Sequence, residues 1–311
     1  MRPLSKFASC RLITPLVQVT LPGRGVPIWC KLEFLNPSGS TKDRIARYIL
    51  TKALRQGVLA HGDRVVEASS GSTSIALALA CAQLDLSFTA IMPEGVSDER
   101  VMIIRAYGAH VELTPKESGI AGAIHRAEEI AHEQNAFWPR QFSNEDNANA
   151  HRHETAQEIL SQLPVDNVDF FVSGVGTGGT LVGVAAGLQD AGCQVKPVLA
   201  RPIDHGLMVE VECSSFSSRI PGVADGLSTI FQSAELKEMV EIEVSDVEAI
   251  QVTRELIQQG FPVGPSSGLN YLAAQRAVEQ SGCDSPVAVT VFPDRMERYF
   301  STELFANQRT S

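Results

Sequence analysis

Lys42 lies inside NPSGSTKDR (36–44), a run of Asn, Pro, Ser, Gly and Thr that reads as a structured turn holding one amine. An ammonium withdrawn from water loses pKa, and the neutral amine is a nucleophile able to form a Schiff base with a carbonyl. The same residues also suit a surface loop that opens a helix, with Thr41 or Asp43 as N-cap and DRIARYILTKALRQ as its body. Two more loops have the makings of anion sites. In EASSGSTS (67–74), Gly71 lies among serines and a threonine just before an alanine- and leucine-rich stretch. Backbone N–H groups at a helix start, joined by hydroxyls, seat a carboxylate or a phosphate, although plain N-capping uses the same residues. In SGVGTGGTL (173–181), four glycines fall within six positions. There the N–H groups of Gly176, Thr177, Gly178, Gly179 and Thr180 could wrap a phosphate, or the glycines could form a tight packing turn. No Walker lysine follows, and no acidic residue stands at dinucleotide spacing.

These loops need a scaffold, and short β-branched runs alternating with amphipathic stretches supply one. RVVEAS (64–69) precedes STSIALALACAQL, SFTAIMP (87–93) precedes SDERVMIIRAYG, and HVELTP (110–115) precedes IAGAIHRAEEIAHEQ. The rhythm resumes with VDFFVSG (168–174) before TLVGVAAGLQDAG, then KPVLARP (196–202), a helix over 245–260, and PVAVTVFPD (286–294). Such alternation predicts an α/β protein with parallel sheets covered on both faces, and ligands there bind beyond the carboxyl ends of the strands.

Composition narrows the function classes. A chain of 311 residues suggests two domains, and 44% hydrophobic with 20% charged residues is ordinary for a globular protein. With 26 basic against 36 acidic residues, a net charge of −10 and no basic run, nucleic acid is not an expected partner. No apolar stretch reaches membrane-spanning length and the start, MRPLSKFASCRLITPL, lacks a secretory apolar core, so a cytoplasmic protein with no membrane partner is expected. The six cysteines are scattered without a CxxC pair, which implies reduced, mostly buried thiols. HRHET (151–155) places two histidines two apart rather than four, so no metal site is expected there.

A reactive lysine, a phosphate cup and a carboxylate seat on separate loops are together what pyridoxal phosphate acting on an amino acid requires. KLEFLNPSGSTKDR, SSGST, GTGGT, GPSSG (264–268), QFSNEDNANAHRHETAQEI (141–159), RAYGAHVELT (105–114) and PDRMERYFST (293–302) follow one another in an order and spacing that resemble the cysteine synthase and cystathionine β-synthase family of fold type II, from about residue 10 to 305. The resemblance implies two three-layer α/β/α domains, a small mobile one over 40–145 and a large cofactor-binding one over 1–39 and 146–311. It implies pyridoxal 5'-phosphate as cofactor, with Lys42 as the lysine that carries it and the base that takes the α-proton. It further implies Gly176 to Thr180 as phosphate ligands, Ser266 at the pyridine nitrogen with Ser267 beside it, and Ser72 at the 3-hydroxyl. Ser69, Ser70, Gly71, Thr73, Gln141 and Gly222 become substrate-binding residues, and a homodimer acting on small amino acids is expected.

The activity so implied is β-replacement on an activated L-serine such as O-acetylserine, through an aminoacrylate, with sulfide giving L-cysteine. A cysteine desulfhydrase or serine/threonine dehydratase-type lyase, and a non-catalytic pyridoxal-phosphate-binding protein, are the alternatives. Departures from the family pattern feed them. Ser72 stands where most relatives have Asn, Ser74 replaces a glycine, and RIPGVADGLSTIF (219–231) brings Asp225 toward the segment where synthases carry a glycine-rich loop. His151 matches a family histidine and also suits a structural position at a helix start.

Overall fold

The computed structural model describes residues 13–203, 228–234, 236 and 238–308. Gly222 and Asp225, with most of the 219–231 segment, lie outside the described residues. Among the described residues, nine strands form two sheets. The larger runs in the order β1 (Leu16–Val19), β2 (Ile28–Lys31), β9 (Ala288–Val291), β6 (Phe170–Ser173), β7 (Lys196–Ile203), β8 (Val240–Ser245), and the smaller in the order β3 (Arg64–Ala68), β4 (Ser87–Pro93), β5 (His110–Thr114). Every pairing is parallel except β1 with β2 at the sheet edge, so the architecture is α/β with mostly parallel sheets, in agreement with the alternation in the sequence.

Successive strand residues point to opposite faces, which splits each sheet's apolar residues between two cores. In β6 and β7, Val172, Val198 and Ala200 face α9 (Asp246–Gln258) and α10 (Pro265–Gln280), while Phe171 and Leu199 face α6 (Ala156–Gln162) and α7 (Gly179–Asp190). In the smaller sheet, Val65, Phe88 and Ala90 pack against α1 (Lys42–Arg55), α2 (Ser72–Leu84) and α3 (Asp98–Ala106), and Val66, Ala68 and Ile91 pack against α4 (Gly119–Glu133). Each sheet is thus the middle of three layers. Among the described residues, the remaining α-helices are α5 (Asp146–Ala150), which continues through a π-helical turn over His151–Thr155 into α6, and α8 (Thr229–Ser233). Cys30, Cys81 and Cys193 are buried free thiols and Cys283 is exposed. No helix among the described residues is long and apolar enough to cross a membrane.

Candidate active site

Lys42 is the first residue of α1, after Thr41 at the N-cap. The turn before it is closed by Asp43, whose carboxylate accepts the Ser38 N–H at 2.9 Å and the Ser38 hydroxyl. It is pinned from outside by Thr41 N–H donating to Pro293 O (2.8 Å) and by the Arg298 guanidinium, which donates to Gly39 O (2.8 Å) and Ser38 O. Two residues further in, Arg44 is buried and donates to Glu33 through two nitrogens at 2.6 Å and to Glu158 through two at 2.8 Å, while Lys31 pairs with Glu158 at 2.9 Å. Burial works against charge on Glu33, but the Arg44 guanidinium outweighs it and holds the carboxyl at about 2. Two residues from Lys42, this ion cluster fixes the direction in which α1 leaves the core.

The glycine loop leaves β6 with its geometry set by distant side chains. Gly174 N–H donates to Asn270 Oδ1 (2.7 Å), and Asn270 Nδ2 donates to Val291 O (3.0 Å). Asn147 Nδ2 donates to Thr177 Oγ1 (2.9 Å), and the Thr177 carbonyl accepts the Ser228 hydroxyl (2.6 Å). Gly178 caps α7 at φ +83°, in the left-handed region, and a Cβ there would lie 2.8 Å from Phe231 Cβ. The loop therefore opens onto the N-terminus of a twelve-residue helix, where free amides and the helix dipole favour an anion. Thr180 Oγ1 lies 3.2 Å from His151 Nε2, and His151 Nδ1 lies 2.9 Å from Thr155 Oγ1. Desolvation drives the His151 pKa down to about 3, so this ring is neutral and orients hydroxyls. His153 stacks on Tyr48, and no group of three potential metal ligands occurs among the described residues.

One cavity joins these parts. Thr41, Lys42, Gly176, Thr177, Gly178, Thr180 and Ser266 line it together with Asn270 and Pro293. Pyridoxal phosphate fits this donor set: an amine for its aldehyde, a row of amides at a helix N-terminus for its phosphate, and a neutral hydroxyl for its ring nitrogen. No carboxylate lines the cavity among the described residues. Thr41 Oγ1 is buried in this wall with no hydrogen-bond partner, which a bound polar group would supply.

Beyond β3 lies the serine loop. Ser69 Oγ accepts the Gly71 N–H (3.0 Å) and the Ser74 N–H (3.1 Å) and lies 2.8 Å from Ser74 Oγ. Two accepted N–H bonds occupy both lone pairs of Ser69 Oγ, so it donates to Ser74 and one hydroxyl proton of the pair remains for a further acceptor. Ser74 therefore stiffens the loop. Thr73 Oγ1 donates to Gln141 Oε1 (2.6 Å), Gln141 Nε2 donates to Ala68 O (2.6 Å), and Asn147 Nδ2 donates to Gln141 O (2.8 Å), which ties the serine loop to the glycine loop through one asparagine. Glu67 supports this from below, accepting the Gln141 N–H and the Trp138 indole N–H at 3.0 Å each, and burial lifts its carboxyl to about 7. Ser72 directs its hydroxyl at Asp294 Oδ2 (3.4 Å) and is not part of the cavity wall; Gly179 packs against Asn147, where a Cβ would lie 1.9 Å from Oδ1.

Asn147, Asn270, Ser228 and Arg44 are not individually marked by the sequence, and Thr41 is marked there only as an N-cap candidate. Asn147 stood within a motif already noted, but its partners are 30 or fewer residues away only through the fold; nothing local marks Asn270, whose partner Gly174 is 96 residues distant.

Comparison with known proteins agrees with the geometry. The family described as "Pyridoxal-phosphate dependent enzyme" matches residues 10–294. Cysteine synthase B of Campylobacter jejuni is 40% identical over 294 residues, covering 94% of this chain and 96% of that protein. The crystal structure of O-ureido-L-serine synthase superposes with a TM-score of 0.80 at 34% identity, covering 94% of this chain and 92% of the other. A hydrogen sulfide-producing enzyme from Fusobacterium nucleatum gives a TM-score of 0.83 at 32% identity, covering 97% and 91%. The chain belongs to the pyridoxal-phosphate-dependent enzymes of fold type II, among the cysteine synthases and their relatives, with pyridoxal phosphate as its cofactor.

Proposed function

We propose that this enzyme replaces the β-substituent of an activated L-serine such as O-acetylserine, with sulfide as the nucleophile and L-cysteine as the product. The observation that carries the reading is the single cavity shared by Lys42, the glycine loop and Ser266, with the serine loop tied to it through Asn147. When bound, pyridoxal phosphate supplies an aldehyde for amino groups and a ring that withdraws electrons from the substrate's α-carbon. Lys42 would hold the cofactor's aldehyde, and its Nζ would serve as the base for the substrate's α-proton. The amides of Gly176 to Thr180 would hold the phosphate. Ser266 would meet the ring nitrogen with a neutral hydroxyl, which would maintain less positive charge there than a carboxylate and so favour loss of the β-group over transamination. Ser69, Ser70, Gly71, Thr73 and Gln141 receive the α-carboxylate.

Residues 40–145, which carry the smaller sheet and the serine loop, act as the mobile domain that closes over substrate and excludes water. We take the protein to be a cytoplasmic homodimer; the buried free thiols suit a reducing compartment. Incubating the holoenzyme with O-acetylserine and sulfide, and separately with L-cysteine alone, tests the activity. Cysteine formation well above pyruvate release is expected. Release of sulfide and pyruvate from L-cysteine, without synthesis, would overturn replacement in favour of the lyase.

A further inference from the structure

The serine loop contains a glycine whose direction local sterics do not decide. Gly71 adopts φ +148°, and a Cβ at that position would fall 2.4 Å from Arg100 Cδ. The Arg100 side chain thus occupies the space that a side chain on residue 71 would need. Arg100, in α3, is 3% exposed and donates from Nη1 to the Ser70 carbonyl at 3.2 Å. In a trans peptide the carbonyl and the following N–H point in opposite directions. Holding Ser70 O toward Arg100 therefore aims the Gly71 N–H the other way, toward Ser69 Oγ, which it meets at 3.0 Å.

Arg100 is itself held from the other body of the protein. Its guanidinium carbon lies 5.4 Å from the ring centroid of Tyr299, which is fully buried. The Tyr299 hydroxyl donates to Asp294 Oδ2 (2.6 Å), the same oxygen toward which Ser72 points. Asp294 in turn pairs with Ser40, two residues before Lys42, and its carbonyl accepts the Gly264 N–H at 2.9 Å, two residues before Ser266. The contacts run from the serine loop through Arg100, Tyr299 and Asp294 to the two segments that present the lysine and the ring-facing serine.

We propose that Arg100 is a positioning residue: by holding the Ser70–Gly71 peptide so that its N–H caps Ser69 Oγ, it sets the Ser69–Ser74 hydroxyl pair whose remaining proton meets the substrate's α-carboxylate, with Tyr299 and Asp294 as the clasp that holds it there. This rests on the proposed function, since it requires an amino acid to be bound at the serine loop. Arg100 does not touch the cofactor cavity wall, so its loss acts on carboxylate recognition and leaves cofactor affinity intact.

The test uses the holoenzyme and L-alanine, which has the α-amine and carboxylate but no leaving group, beside L-alanine methyl ester, which lacks the negative charge. Binding is followed by the visible spectrum and, independently of the cofactor's colour, by hydrogen exchange of the peptide spanning 69–74. In Arg100→Met, the dissociation constant for L-alanine is expected to rise about tenfold while that of the ester stays about the same. Cofactor affinity is expected to be unchanged and exchange over 69–74 to accelerate. Tyr299→Phe keeps the ring beneath Arg100 and removes only the bond to Asp294, and a smaller change in the same ratio is expected. Should Arg100→Met not fold, Arg100→Lys, which keeps the charge and loses the fork, gives the same comparison. Equal weakening of acid and ester, or an unchanged ratio in every variant, would overturn the proposal. A parent holoenzyme that binds neither ligand would remove the functional reading and this inference with it.

Discussion

Arg44→Met removes the cation from a cluster in which Glu33 is fully buried and Glu158 nearly so. Glu158 keeps Lys31 at 2.9 Å, so the cost concentrates on Glu33, left with only the Thr14 hydroxyl at 2.7 Å and Asn36 Nδ2 at 2.9 Å. Glu33 sits at about 2 in the folded protein against an ordinary 4.5. At about 1.4 kcal/mol per pH unit, that gap corresponds to about 3 kcal/mol of stability at neutral pH. Stranding a buried partner costs roughly 3–5 kcal/mol, so the two estimates agree, and both are large beside a total of roughly 5–15 kcal/mol. The sign follows from the depressed pKa: Glu33 contributes its full stabilisation above 4.5 and loses it as pH falls toward 2. Urea unfolding of both proteins across this range is the assay. A deficit of about 3 kcal/mol at pH 7 that shrinks below pH 4.5 is expected, with cofactor affinity falling in parallel because α1 presents Lys42. A variant as stable as the parent at pH 7, or a deficit independent of pH, would refute the reasoning.

Glu67, lifted to about 7 by burial, favours the fold most when protonated, a contribution present below 4.5 and lost as pH rises through 7. Fluorescence of Trp138, which bonds it, should therefore titrate near 7 in the parent and not in Glu67→Gln. Gly178→Ala forces a side chain into left-handed backbone and against Phe231, at a cost of about 1–2 kcal/mol, so equilibrium dialysis should show cofactor affinity about tenfold weaker. Thr41→Val removes an unpartnered hydroxyl, so apo-protein melting should not fall, while cofactor binding should weaken by about fivefold.

The alternating elements were legible because each parallel strand is a short apolar run and each covering helix follows it through a polar or glycine turn. Predicted spans such as STSIALALACAQL and SFTAIMP coincide with α2 and β4. The elements that escaped lack those marks. β1 and β2 are four residues each with no helix between them, β8 reads VEIEVS, and α10 begins in Pro-Ser-Ser-Gly, which looks like a turn, and is buried around most of its circumference. Lys42 and the two loops were visible from residue type alone. What orients them was not, because Arg44 meets Glu158 across 114 positions and Ser72 meets Asp294 across 222. The family resemblance implies Ser72 at the cofactor's 3-hydroxyl, whereas its hydroxyl faces Asp294, a pairing no local pattern announces.

The central proposal is that the Lys42 amine holds pyridoxal phosphate in the cavity it lines together with the glycine loop. Borohydride reduction of the holoenzyme, followed by proteolysis and peptide mass mapping, tests that directly. The reduced cofactor should be found on the peptide containing Lys42, and Lys42→Ala should be colourless and unlabelled. Label on another lysine, or a fully coloured Lys42→Ala protein, would contradict it.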